Sequence, residues 1–147
     1  MDLVHNYLAF EPLNGFKEAL IQEKDPKKIQ ELFERPLSFG TAGLRGLMRP
    51  GLSGINGYTI AQATTALGLY LKKIKPHDPL VVCISYDNRH HSMQFADIAA
   101  RVLAAQGIGV KLAAHLRPTP WLSFAIKELK ADAGIMITAS HNPKTYN

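Results

Sequence analysis

The feature that most restricts this chain is an alternation in its second half. LVVCISY (about residues 80–86), IGVKLAA (108–114) and AGIMITA (133–139) are short, apolar and rich in β-branched residues, as in buried parallel strands. Between them lie SMQFADIAARVLAAQ and TPWLSFAIKELK, whose apolar residues recur at helical spacing. Ser92 reads as the N-cap of the first of these helices and Gly107 as its closing glycine. The second starts near Thr119-Pro120. Strand, helix, strand, helix, strand predicts an α/β fold, a three-layer domain whose mainly parallel, mixed sheet is covered by helices on both faces.

Upstream, Asn14 opens a helix to about Glu23, and Asp25-Pro26 starts another, with Asp at the N-cap and Pro in the first turn. In it Ile29, Leu32 and Phe33 share a face, and Pro36 ends it. Residues 1–36 are thus expected to be a helical N-terminal extension, with the α/β domain at 37–147. LSFGTAGLRGLMRPGLSG is too glycine-rich for a long helix and fits a short strand with turns. Asn56 then opens an amphipathic helix carrying Ile60, Ala63, Leu67, Leu71 and Ile74.

Composition narrows the function classes. With 46% hydrophobic and 20% charged residues in 147, the chain reads as one globular, soluble domain. No apolar run is long enough to span a bilayer, and the N-terminus lacks the pattern of a signal peptide. The single cysteine, Cys83, sits in an apolar run, which suits a buried thiol in a reducing cytoplasm. The net charge of +5 is spread over helices without a basic run or interleaved aromatics. Nucleic acid is therefore disfavoured as a partner, and a small phosphorylated ligand suits the charge better.

In open α/β sheets ligands bind beyond the carboxyl ends of the strands. Three polar clusters stand there: Asp87-Asn88-Arg89, His115 to Pro120, and Ser140-His141-Asn142-Pro143. Ser140 reads either as a nucleophile or phosphate carrier, or as a turn residue. No Gly-x-Ser-x-Gly elbow surrounds it, which disfavours acyl transfer. His141 can orient a group on Ser140, or simply hydrogen-bond within a loop. Gly40-Thr41-Ala42-Gly43-Leu44-Arg45-Gly46 can bring backbone and a planar guanidinium to an anion, or can be a structural turn. Asp87 and Arg89 either pair and brace their loop or contact ligand. His90-His91 lack metal-ligand company and read as surface histidines.

Taken in order, FGTAGLRG, Asp87-x-Arg89-x-x-Ser92, PTP and TASHNP resemble the first domain of the α-D-phosphohexomutase family, from about Leu37 to Asn147. That family contains phosphoglucomutases, phosphomannomutases and phosphopentomutases. LSFGTAGLRG with GIMITASHNPK looks most like the phosphoglucomutase/phosphopentomutase branch. The resemblance implies that Ser140 carries a phosphoryl group and moves it between C1 and the terminal carbon of a sugar phosphate. A sugar bisphosphate would be the intermediate and activator, and Mg2+ would be held partly by the phosphoryl oxygen on Ser140. Ser140, His141 and Arg45 would be catalytic; Thr41, Gly43, Asp87, Arg89 and Asn142 would support the phosphate loop. Sugar phosphates and domains II–IV of the same protein would be the partners.

The family's Asp-Gly-Asp-x-Asp-Arg metal loop, its Glu-x-Ser-Gly-type sugar loop and its Ser/Thr-rich phosphate loop do not occur here. Nor does the lysine that usually follows the tyrosine-asparagine pair, and Lys144 is not its equivalent. The chain is therefore expected to be the isolated first domain of a larger mutase, inactive alone, with Lys144 to Asn147 its loosest part. The alternative is a non-catalytic phosphosugar-binding or regulatory module.

Overall fold

The computed structural model describes residues 3–41 and 43–147. The backbone divides into two units. One is the chain up to Ile60 together with Ala139–Asn147, and the other is Ala61–Thr138.

The second unit contains the predicted alternation. Strands β1 (Val81–Tyr86), β2 (Gly109–Leu112) and β3 (Ala133–Ile137) form a sheet in the order β2-β1-β3. Both pairings are parallel, with Ile84 opposite Leu112 on one side and Ile135 on the other. The three strands are thus wholly parallel; the mixed character allowed for by the sequence does not arise among them. Helix α5 (Ser92–Ala105) joins β1 to β2, and α6 (Thr119–Glu128) joins β2 to β3.

The direction of winding reverses between these crossovers. Right-handed connections then place α5 and α6 on opposite faces of the sheet. The strand residues agree. Cys83 packs with Leu122 and Ala125 of α6, whereas Val82 and Ile84 point to the other face by the strand period of two. Phe95, Ala99 and Leu103 of α5 are fully buried. Gly107 takes φ +75 after α5, the left-handed conformation that glycine adopts without strain. The three-layer α/β architecture expected from the sequence is the observed one.

The first unit has helices α1 (Leu3–Phe10), α2 (Asn14–Gln22) and α3 (Pro26–Glu34), and the first turn of α4 (Gly57–Ile74). Sequence periodicity misses α1, which is only eight residues long. The start of α3 is as expected, with the Asp25 side chain accepting from the Lys27 N–H at 3.0 Å. Tyr7, Leu20 and Phe33 form a buried cluster against Leu52 and Tyr58. The short strand expected over residues 37–54 is reduced to isolated bridges: Gly40 with Gly43, Leu47 with Tyr146, and Met48 with Ile55. Turns at Gly43 (φ +108) and Gly51 (φ +84) interrupt the extended backbone before a ladder can grow.

Candidate functional site

The rim of the second unit is organised by Asp87, directly after β1. One carboxylate oxygen, Oδ1, accepts from the Arg89 N–H at 3.0 Å and from the Ser92 hydroxyl at 2.8 Å. The other, Oδ2, accepts from the Thr138 hydroxyl at 2.6 Å and lies 3.4 Å from Arg89 Nε. The Asp87 N–H also donates to the Ile137 carbonyl at 3.1 Å. Asp87 and Arg89 therefore pair within their loop.

Ser92 differs from expectation. His91 occupies the N-cap at φ +63, so Ser92 stands inside the helix and gives its hydroxyl to Asp87 instead of capping α5. Sequence reasoning also passed over Thr138. Its signal appears only once the parallel register sets Tyr86 opposite Ile137, which brings the next residues of both strands together. This junction lies between β1 and β3, where the winding reverses, the usual ligand-binding edge of such sheets. The loop after β2 is drawn to the same strand end, the Arg117 N–H donating to the Tyr86 carbonyl at 3.2 Å. The Arg117 guanidinium lies 5.6 Å from the Trp121 ring centroid.

In the first unit, Ala139 is buried and Ser140 is exposed at φ +53. The Asn142 N–H closes this turn on the Ala139 carbonyl at 3.0 Å. A left-handed serine is uncommon and is held only where its surroundings dictate it. Ser140 Oγ lies 3.4 Å from His141 Nδ1, so the structure brings these two candidates together.

The glycine-rich segment belongs to the same unit. Gly40 and Gly43 exchange backbone hydrogen bonds of 2.9 and 3.3 Å, with Thr41 exposed in the turn between them; Ala42 lies outside the described residues. Arg45 is exposed. Just beyond it, the N–H groups of Gly46 and Met48 donate to the carbonyls of Asn147 and Thr145, at 3.2 and 2.8 Å. The Asn147 N–H returns a bond to the Gly46 carbonyl at 3.2 Å. Within Lys144 to Asn147, expected to be the loosest part, Thr145 and Asn147 are tied by these bonds, and Asn147 is buried. Among the described residues no group of three or more His, Cys, Asp or Glu side chains is placed to hold a metal. No helix among them is long and apolar enough to cross a membrane.

Fold and site define a doubly wound α/β domain that sends its last strand into an exposed, left-handed serine. Residues 36–147 match the domain described as phosphoglucomutase/phosphomannomutase, alpha/beta/alpha domain I. The chain belongs to this phosphohexomutase family, as its N-terminal domain. It is 49% identical over 134 residues to a phosphoglucomutase of Staphylococcus epidermidis, covering 88% of this chain and 24% of that protein. To a human phosphopentomutase it is 42% identical over 137 residues, covering 88% and 22%. A solved structure from Thermus thermophilus, of a protein assigned to the phosphomannomutases, superposes with a TM-score of 0.68 at 36% identity, over 76% of this chain and 24% of that one. The chain thus spans about a quarter of the length of these relatives.

Proposed function

We propose that this chain is the phosphoserine-bearing first domain of a cytoplasmic sugar-phosphate mutase. The observation that carries the reading is Ser140, exposed in a closed left-handed turn with its hydroxyl beside the His141 imidazole. The names of the relatives favour glucose 1-phosphate as substrate class, with a pentose 1-phosphate as the alternative.

In this reading the hydroxyl oxygen of the sugar phosphate attacks the phosphorus carried on Ser140. The bond from phosphorus to Ser140 Oγ breaks as the new P–O bond forms. The sugar hydroxyl loses its proton and Ser140 Oγ gains one, leaving a sugar bisphosphate and a free serine. The bisphosphate turns round and returns its other phosphate to Ser140 by the same exchange. Such transfers depend on positioning and charge neutralisation. Arg45 supplies fixed positive charge and the Gly40–Gly43 turn offers backbone around Thr41. His141 hydrogen-bonds at the serine oxygen, and Asn142 closes the turn. Asp87, with Arg89, holds the strand end two residues before Ser140 through Thr138.

A magnesium ion fits this chain only as a shared ligand. Asp87 is already engaged on both oxygens, so Ser140, through its phosphoryl oxygen, is the residue that would hold the ion. The ion would supply charge neutralisation at the transferring phosphate. Its remaining ligands, and the groups that select the sugar, would come from domains II–IV.

Ser140→Ala in the full-length protein is expected to abolish phosphoglucomutase turnover, followed by coupled assay of glucose 6-phosphate. Retained turnover would remove the assignment. The 147-residue chain alone is expected to show no appreciable turnover, because in this reading the opposing electrostatic groups would come from domains II–IV. A phosphosugar-binding module without catalysis is the second reading, motivated by the family's metal and sugar loops not occurring in this sequence. Unchanged amide shifts with millimolar glucose 1-phosphate would eliminate stand-alone binding.

A further inference from the structure

Glu11 is an acidic residue with only 1% of its surface exposed. Its Oε1 accepts from the Leu13 N–H at 2.9 Å, and its Oε2 accepts from the Tyr58 N–H at 2.8 Å, in the first turn of α4. A buried carboxylate at a helix N-terminus satisfies an otherwise orphaned donor and complements the helix dipole. The fit is close: a Cβ on Gly57 would meet Glu11 Oε1 at 2.4 Å and Pro12 Cγ at 2.6 Å. The Tyr7 ring packs on Tyr58 at 5.5 Å between centroids, and burial, then the Glu11 charge, pushes the Tyr7 hydroxyl well above its ordinary pKa.

The residue before Gly57 continues the line. Asn56 is fully buried, and it exchanges bonds with Thr59: its N–H donates to Thr59 Oγ1 at 3.1 Å, and its Oδ1 accepts from the Thr59 N–H at 3.0 Å. Its Nδ2 donates to the carbonyls of Arg49 and Gly51, at 2.8 and 2.7 Å. The loop so gathered returns through the Ile55 N–H to the Leu47 carbonyl at 2.8 Å. Leu47 lies between Gly46 and Met48, whose N–H groups hold the segment after Ser140. Hydrogen bonds and two short runs of backbone therefore connect Glu11, α4, the Asn56 loop and residues 145–147.

We infer that Glu11 is a positioning residue for the Ser140 turn and that the first turn of α4 and the Asn56 loop are the brace through which it acts. Its catalytic consequence rests on the reading of Ser140 as the phosphoryl carrier. Two facing N–H donors require two acceptor oxygens. Glu11→Gln keeps the shape but turns an amide NH2 toward one of them, which separates hydrogen bonding from packing.

Amide hydrogen exchange on the 147-residue chain tests the brace directly. In Glu11→Gln, the amides of Tyr58, Ile55, Met48 and Asn147 are expected to exchange about tenfold faster, with those of β1 and β3 unchanged. Gly57→Ala displaces the carboxylate without removing it, so it should give the same pattern, and the double variant should add little to either. Faster exchange confined to Leu13 and Tyr58 would overturn the inference, as would additive effects. Should Glu11→Gln fail to fold, Glu11→Asp, which keeps the charge, decides by the same pattern; loss of the whole fold in both also overturns it. In the full-length protein, Glu11→Gln is expected to lower kcat about tenfold with KM unchanged. An unchanged kcat would overturn the catalytic consequence. Absence of mutase turnover in the unsubstituted protein would count against the proposed function alone, because the exchange result judges the brace separately.

Discussion

In Ala61–Thr138 the backbone is held by a parallel ladder and by helices around apolar side chains such as Phe95 and Leu103. The segments around Ser140 and the Leu37–Asn56 stretch have isolated bridges in place of a ladder. Polar side chains do much of the work there, as Asn56 does by reaching the carbonyls of Arg49 and Gly51. A ladder spreads its stability over many equivalent bonds, whereas a loop gathered by a few unlike bonds depends more on each of them. The exposed serine sits on the second kind of backbone. This makes its position adjustable by single residues, Glu11 and Asn56 first among them.

Removing one large side chain should cost the sheet unit most. Phe95 is fully buried, and Phe95→Ala is expected to destabilise the chain by about 4 kcal/mol, through lost burial and the cavity left behind. Urea unfolding followed by circular dichroism would measure it. A loss under about 1 kcal/mol would mean that the unit does not depend on this packing.

The polar counterpart is Asn56→Ala. It leaves the carbonyls of Arg49 and Gly51 and the Thr59 N–H without these partners, at an expected cost of about 3 kcal/mol. If the same urea measurement returned only a few tenths, the contrast drawn between the two regions would fail. A stabilised loop with an unchanged sheet would fail it equally.

The contrast also explains what could be read from the sequence. LVVCISY and the helices around Ile60–Leu71 and Phe95–Leu103 declare themselves because burial repeats with a fixed period. Ser140 was legible as a strand-end residue, and Asp87 with Arg89 as a possible brace. Thr138 was not, because its bond to Asp87 spans 51 residues and depends on strand register. Glu11 was not either. Its partner Tyr58 is 47 positions away, and a single carboxylate carries no period. The Ser92 hydroxyl was assigned to its own helix because an N-cap is the local default, yet a nearby carboxylate at 2.8 Å claimed it.

A smaller effect is expected at the edge of the sheet unit. Asp132 bonds Lys75 and accepts from the Val81 N–H at 2.8 Å. The Lys75 bond, then the Val81 N–H, holds the Asp132 carboxyl below the usual range, and the carboxylate in turn raises the Lys75 pKa. The lowered carboxyl contributes stability above its unfolded pKa of about 4, and that contribution is lost as pH falls through the folded value. The raised lysine contributes below about 10 and loses this as pH rises through its folded value. Asp132→Asn should therefore lower the melting temperature slightly between about pH 5 and 9, with the gap closing in acid. A gap that stayed constant down to pH 2 would remove the ionic part of this explanation.

Cys83 is a reporter for the comparison. The thiol is 1% exposed, and burial pushes its pKa up, with Lys111 opposing weakly. Both effects make it slow to react with a disulfide reagent at pH 8 unless the sheet unit opens. Phe95→Ala weakens that unit, so labelling should accelerate by about a thousandfold in the regime where reclosing outpaces reaction. Asn56→Ala should leave the labelling rate unchanged, even though the chain loses nearly as much stability by urea. The reason is that opening the Asn56 loop does not by itself expose a residue inside a ladder. Equal acceleration in both variants would show that the two regions open as one cooperative body, and the distinction between ladder and latch would then have no consequence for the Ser140 turn.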